Sequence, residues 1–202
     1  IGIVTLTGIG LKLGAGLVAL AGGKLILTLI FTMLASIILG MGAPTTANYL
    51  ITSTITAGAL IMLDVEPLAA HMFAFYFGII ADITPPVALA AIAGSAIAKS
   101  KPMLTAFEAT KLAIAAFIIP YMFVYNPHML LLNNPTIFDI VQIVLSALFG
   151  MFGLSAALEG YGFGKCNIVE RILYAVGGFM LIIPETVTDI IGLTLIILLV
   201  VW

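Results

Sequence analysis

Charge is what this sequence has least of. Only 8% of its 202 residues are charged, seven basic and nine acidic, whereas 63% are hydrophobic and the mean hydropathy is +1.30. A soluble domain carries about 25% charged residues. The composition therefore predicts an all-α integral membrane protein with several spans in the lipid bilayer. The net charge of −2 gives no reason to expect nucleic acid as a partner.

Cysteine and histidine are also scarce, with one and two copies respectively. The single Cys166 excludes an internal disulfide and a cysteine-rich metal site. The sequence contains no Gly-x-Ser-x-Gly, His-Glu-x-x-His or Walker A motif. We therefore expect neither an enzymatic activity nor an organic cofactor. The chain opens at Ile1 and ends at Trp202 inside an apolar run, so we expect a fragment of a larger protein without a signal peptide.

The first half of the chain contains two apolar segments that helix-breaking residues interrupt. Residues 1–24 are predicted to be the end of a preceding segment or an interfacial stretch. Residues 25–63 carry no charge and are interrupted by GMGAPTT at residues 40–46. Each arm is close to the ~17–25 residues of a membrane span. Two full spans or a re-entrant helical hairpin fit this pattern, and we predict the hairpin.

Residues 68–98 are too long for one span of about 20 residues and are interrupted by DITPP at residues 82–86. They are predicted to form a discontinuous transmembrane helix, with half-helices at 68–83 and 85–98. Thr84 is the expected N-cap and Pro85 the first helical residue.

Residues 104–202 are predicted to form C-terminal transmembrane helices. Full spans are expected at 104–125 and 136–158, and shorter apolar segments at 172–183 and 190–202 are separated by Pro184-Glu185-Thr186. Basic residues near span ends favour the cytoplasmic side. They place Cys166 in the cytoplasm, between Lys165 and Arg171.

The two interruptions are the predicted binding site. In a bilayer, broken helices persist only where they are buried in protein or line a wet cavity, and they are typical of transporter binding sites. Helix N-termini at Pro44 and Pro85 would suit a carboxylate, and hydroxyl and carbonyl oxygens would suit a small cation. The predicted substrate-binding residues are Pro44, Thr45, Thr46, Asn48, Thr84 and Pro85, and the predicted ligands of the small cation are Gly40, Gly42, Thr45, Ile83 and Thr84.

Two ionisable residues accompany the second interruption. Asp82 lies inside an apolar segment, where a charge is costly. It either accepts hydrogen bonds from freed backbone N–H groups or favours a bound cation electrostatically. His71 comes eleven residues earlier, three helical turns away, so we expect it to share a face with Asp82. A packed, hydrogen-bonded histidine is favoured over a proton relay.

Several stretches resemble the large membrane subunit of TRAP transporters, in particular the fused 4TM/12TM permeases. They are GMGAPTTANY at 40–49, AAHMFAFYFG at 69–78, ITPPVALAA at 83–91, FVYNP at 123–127, ALEGY at 157–161 and Glu170-Arg171. The resemblance implies the C-terminal part of an inverted-repeat, elevator-type secondary transporter in a bacterial or archaeal inner membrane. Sodium is the implied coupling ion, and the implied cargo is an organic acid of the C4-dicarboxylate kind, delivered by a periplasmic substrate-binding protein.

The sequence departs from the family in two respects. The first half of the permease is missing, so the implied partners include that N-terminal half. Ala43 also stands where the family suggests a bulkier residue at the tip. Two other functions stay open: a membrane scaffold subunit that transports nothing, and a channel with a re-entrant pore loop.

Overall fold

The computed structural model describes residues 6–182 and 186–201. Within these ranges the chain is helical, with no β-strand beyond an isolated bridge between Tyr161 and Lys165. Two stretches in them are long and apolar enough to cross a membrane, Pro102–Tyr125 and Ile137–Glu159. The prediction of an all-α membrane protein is confirmed.

The chain divides into two compact units. The first runs as far as Thr110 and takes in Ile119–Val124, and the second comprises Lys111–Ile118 and the chain from Tyr125 onwards. Helices α7 (Pro102–Leu112) and α8 (Ile114–Tyr125) therefore contribute to both units.

The first unit contains the two interrupted segments. Its helices are α1 (Ile9–Leu20), α2 (Leu25–Gly40), α3 (Thr45–Thr52), a π-helical turn (Ser53–Ala57), α4 (Gly58–Ile61), α5 (Pro67–Ile80) and α6 (Leu89–Ala98). The π-helical turn makes the second arm of the hairpin continuous from α3 to α4. Pro67 occupies the first turn of α5, where a proline costs no hydrogen bond.

The second interruption is longer than the sequence predicts. Helix α5 ends at Ile80, and α6 begins only at Leu89, after Ala88 with φ 39°. The predicted half-helices at 68–83 and 85–98, with Thr84 as N-cap, are therefore wrong at the break. The physical reason lies in the two prolines, because a residue that precedes a proline is kept out of the α region. Thr84 and Pro85 each precede one, so no helix begins there.

Buried hydroxyl groups connect the arms of the hairpin. The Ser36 hydroxyl of α2 donates to the Thr56 hydroxyl of the π-helical turn at 3.1 Å, and both side chains are fully buried. The Thr32 hydroxyl donates a hydrogen bond to the Thr28 carbonyl of its own helix at 2.8 Å. These bonds satisfy polar groups that hydrocarbon or an apolar core would penalise.

The second unit begins with a 3₁₀ turn (Pro127–Leu130) and continues with α9 (Ile137–Glu159), α10 (Ile168–Met180) and α11 (Thr186–Val201). Capping boxes start α9 and α10, from Thr136 with Asp139 and from Asn167 with Glu170. The predicted separator around Pro184 lies outside the described residues, except for Thr186. The core of this unit contains Tyr174, Leu181 and Ile196.

Candidate functional site

The two interruptions meet at one cavity of the first unit. The cavity has a volume of about 510 Å³ and is lined by Gly42, Ala43 and Pro44 of the first interruption and by Asp82, Leu89 and Ala90 of the second. Residues that stand about 40 positions apart in the sequence thus form one site. The fold brings together what the sequence placed in two separate segments.

Two helices begin at this cavity. Pro44 is the N-cap of α3, and Leu89 is the first residue of α6. The first N–H groups of a helix have no partner inside the helix and carry the positive end of its dipole. Both N-termini therefore make the cavity favourable for an anion, although Asp82 contributes a negative charge of its own.

The hydroxyl residues predicted at the hairpin tip lie beside the cavity rather than in its lining. Thr45 and Thr46 form the exposed first turn of α3. Gly42 does line the cavity, and its φ of 74° is in the left-handed region, which favours glycine. The tip therefore lines the cavity with Gly42, Ala43 and Pro44, and the predicted hydroxyl residues are not part of that lining.

Asn48 anchors the tip to the core of the unit. Its side chain is 1% exposed, and its Nδ2 donates to the Gly78 carbonyl at 2.6 Å and to the Gly40 carbonyl at 3.4 Å. Its Oδ1 is buried and has no hydrogen-bond partner in the described part of the chain. The residue predicted to bind substrate thus joins the end of α2, the start of α3 and the end of α5.

This anchor requires a close approach of two backbones. A Cβ at Gly40 would lie 2.5 Å from the Gly78 carbonyl oxygen and 2.7 Å from Asn48 Nδ2. A Cβ at Gly78 would lie 2.8 Å from Asn48 Oδ1. Only glycine fits at these two positions. Sequence reasoning missed Gly78, for which the available signal was a glycine near the end of an apolar helix, directly after the aromatic run Phe75-Tyr76-Phe77.

The second interruption is held by its own hydrogen bonds. The Thr84 hydroxyl donates to the Ile80 carbonyl at 2.7 Å, and the Ala90 N–H donates to the Asp82 carbonyl at 3.0 Å. The Thr110 hydroxyl, which the sequence did not single out, donates to the Ile83 carbonyl at 3.2 Å. The predicted ligand carbonyl of Ile83 thus already accepts one bond. Pro85 is half-buried and does not line the cavity.

His71 and Asp82 do not share a helical face, because Asp82 lies past the end of α5. His71 Nδ1 instead forms a 3.0 Å hydrogen bond with the Tyr49 hydroxyl, which connects α5 to α3 one residue after Asn48. Tyr49 also makes an edge contact with Phe75, with ring centroids 5.7 Å apart. Sequence reasoning did not select Tyr49 as a site residue.

The described residues contain no cluster of three or more histidine, cysteine or acidic side chains that would hold a transition metal. A cation at this cavity would depend on the backbone carbonyls of the lining and on Asp82. Such hard, mostly neutral oxygen ligands suit a small cation of the alkali or alkaline-earth kind.

Known proteins were compared with the chain on its sequence and its structure. Residues 1–136 of the 202 match the family described as "Tripartite ATP-independent periplasmic transporter, DctM component". The chain matches no curated protein and no solved structure. The matched part includes both interruptions and the whole cavity lining, and it ends just before α9. The chain therefore belongs to the DctM component family of the tripartite ATP-independent periplasmic transporters, a family of membrane transporters and not of enzymes.

Proposed function

We propose that this chain is the C-terminal portion of the permease of a sodium-coupled transporter that imports an organic acid, such as a C4-dicarboxylate. The single observation that carries the proposal is the cavity shared by the two interruptions. The proposed partners are a periplasmic substrate-binding protein, which delivers the acid, and the N-terminal half of the permease. The proposed location is a bacterial or archaeal inner membrane.

The start of two helices at the cavity supports an anionic substrate. Pro44 and Leu89 place both N-termini at its edge, where free N–H groups and the helix dipoles attract a carboxylate. A dicarboxylate has one carboxylate for each helix. Asp82 disfavours a second negative charge unless a cation accompanies it, so the same lining supports cotransport with sodium.

The carbonyl, hydroxyl and amide oxygen atoms at the interruptions support the proposed sodium site. A carbonyl oxygen has two lone pairs, so Ile83 keeps one for a cation after accepting the Thr110 hydrogen bond. The Gly40 carbonyl accepts two long hydrogen bonds, from Asn48 Nδ2 at 3.4 Å and from the Ala43 N–H at 3.5 Å, which a cation would have to replace. Gly42 and the hydroxyls of Thr45 and Thr84 remain candidate ligands. The unpartnered Asn48 Oδ1 adds a buried oxygen that gains a partner when a cation binds.

The helix lengths support a re-entrant hairpin. Helix α2 has 16 residues, about 24 Å at 1.5 Å per residue. The second arm from Thr45 to Ile61 is one residue longer. Both fall short of the ~30 Å hydrocarbon thickness. A tip that stops within the membrane is the arrangement expected of an elevator-type transport domain.

The test uses the complete transporter in proteoliposomes with its purified binding protein. We expect uptake of a radiolabelled C4-dicarboxylate that requires both the binding protein and an inward sodium gradient. Thr84→Val and Thr45→Val should each raise the half-activating sodium concentration by roughly 5- to 150-fold, which corresponds to the loss of one oxygen ligand. Membrane insertion should stay near normal.

Thr194→Val is the matched control, because Thr194 also donates to the carbonyl four residues before it, at 2.7 Å. It should leave sodium activation unchanged. Unchanged sodium dependence in both test variants would move the coupling site away from the interruptions. Uptake that does not depend on the sodium gradient would refute the coupling. Conductance that does not saturate with substrate would favour the channel.

A further inference from the structure

The second unit contains a polar cavity that the proposed transport function does not use. It has a volume of about 460 Å³ and lies at the loop between α9 and α10. Its lining includes one basic and one acidic side chain, Lys165 and Glu170, together with Tyr174. Tyr174 is 2% exposed, and its hydroxyl is a hydrogen-bond donor. The cavity thus combines both charges with a hydroxyl group.

An apolar groove adjoins this cavity. It has a volume of about 360 Å³, and its lining is hydrophobic throughout, with Phe149, Phe152 and Ile196 among its residues. Phe163 and Val200 line both the groove and the polar cavity. The two spaces are therefore neighbours, and together we call them the recess, which is charged in the cavity and aliphatic or aromatic in the groove.

The recess is placed where lipid is present. It follows α9, which is long and apolar enough to cross a membrane. Helix α10 presents an exposed apolar stripe at Ile168, Ile172, Val176 and Phe179, on the face opposite its buried Tyr174. In a membrane protein such a stripe faces hydrocarbon. A lysine near the end of a span, such as Lys165, is typical of the headgroup level, because its long side chain carries the ammonium out of the hydrocarbon.

We propose that this recess binds a single phospholipid with a zwitterionic, amine-bearing headgroup. The Lys165 ammonium contacts the lipid phosphate, the Tyr174 hydroxyl donates to a phosphate or ester oxygen, and one acyl chain occupies the apolar groove. Glu170 uses Oε2 to accept from the Asn167 N–H at 2.8 Å, which leaves Oε1 for the headgroup ammonium. The site is independent of the transport function proposed above.

Charge complementarity selects this lipid over an anionic one. A headgroup with only a phosphate would satisfy Lys165 but would bring its negative charge close to the Glu170 carboxylate. A headgroup with one ammonium and one phosphate pairs with both side chains. A water-soluble anion would leave the apolar groove empty, so the groove favours a molecule with an acyl chain.

The experiment places the complete transporter in nanodiscs of equimolar phosphatidylethanolamine and phosphatidylglycerol. After release into mild detergent and repeated washing, native mass spectrometry measures the retained lipid. We expect one retained phosphatidylethanolamine per chain. Lys165→Ala and Phe163→Ser should each reduce that retention about tenfold, because one removes the phosphate contact and the other opens the wall that the cavity and groove share.

The controls match the test variants in exposure. Lys101→Ala removes an exposed lysine of the first unit, and Phe138→Ser changes a phenylalanine that is 74% exposed, as Phe163 is, but lines neither space. Both should retain the lipid at the level of the unaltered chain. All four side chains are exposed, so folding is not expected to fail.

Glu170→Gln separates the headgroup preference from binding itself. Glutamine at this position of a capping box still accepts the Asn167 N–H, so α10 keeps its cap. We expect the variant to retain phosphatidylglycerol at least as well as phosphatidylethanolamine. Equal retention of both lipids by the unaltered chain would overturn the zwitterionic assignment. Equal retention by Lys165→Ala, Phe163→Ser and their controls, or no retained lipid, would overturn the site.

Discussion

Each of the two interruptions of the first unit separates two helices, but different hydrogen bonds hold them in place. The first is short, from Met41 to Pro44, and its local hydrogen bonds are long, 3.4 Å for Met41 N to Ile38 O and 3.5 Å for Ala43 N to Gly40 O. The second extends over residues 81–88 and is held by shorter bonds from Thr84, Ala90 and Thr110.

This difference shows where the position of each break is determined. The second break is held by hydrogen bonds between its own residues and by one from Thr110 of α7, so several independent contacts hold its backbone in place. The first is held across to α5 by Asn48, which is fully buried, and one residue later by the half-buried Tyr49–His71 pair. A change at the Asn48 anchor should therefore affect the hairpin tip much more than any single change affects the second break.

The largest effect is expected from Gly40→Ala. The new methyl group would have to displace the Gly78 carbonyl and Asn48 Nδ2, both within 2.7 Å of it. Overpacking together with loss of the Asn48 bond should destabilise the first unit by about 3 kcal/mol, measured by thermal unfolding in detergent. Gly94→Ala is the control, because nothing lies within 4 Å of its Cβ. A small effect at Gly40 would refute the close crossing of α2 and α5.

Asn48→Ala should be the next most harmful change. It removes both bonds of the anchor and leaves the buried Gly78 carbonyl unpaired, at a cost of about 2 kcal/mol. Asn48→Asp keeps the shape but cannot donate, so it should be at least as destabilising in the same unfolding measurement. Exposed Asn134 provides the control as Asn134→Asp, because asparagine and aspartate both tolerate its φ of 51°. Normal stability in Asn48→Asp would mean that Oδ1, not Nδ2, is the important atom.

Substitutions of Gly42 should be harmful because of its backbone conformation and not because of steric crowding. Nothing lies within 4 Å of its Cβ position, yet its φ is 74°. Gly42→Ala should cost about 1–2 kcal/mol, with Gly42→Asn less harmful and Gly42→Val more so, because asparagine tolerates the left-handed region. Transport by the complete permease should fall in the same order while membrane insertion stays near normal. An equal response to all three substitutions would show that φ is not the constraint.

The smallest effect is expected at the second break. Thr110→Val removes one of its braces, the 3.2 Å bond to the Ile83 carbonyl, and should cost about 1 kcal/mol or less, since other bonds remain. Thr105→Val is the control, because its hydroxyl bonds only to nearby residues of its own segment. If Thr110→Val destabilised the unit as much as Asn48→Ala, the second break would depend on a single anchor.

The sequence predicted the helical class and the position of both interruptions. Glycine and proline act on the backbone within one or two residues, so GMGAP and TPP signal their breaks wherever the chain folds. The exact start of α6 was missed, although the signal was present: two consecutive prolines exclude a helical start at Pro85. Residues 85–88, which were predicted to form the start of the second half-helix, are therefore not helical.

The sequence by itself determined that the chain is helical, apolar and broken twice, because composition and local backbone preferences decide those properties. Only the tertiary structure decided that Asn48 is an anchor, that Gly78 admits it, and that Thr110 braces Ile83. Asn48 and Gly78 are 30 residues apart, and which donor reaches which carbonyl depends on how α2, α3 and α5 cross. Local preferences carry no information about that crossing, whereas close contact between glycine-bearing helices fixes it.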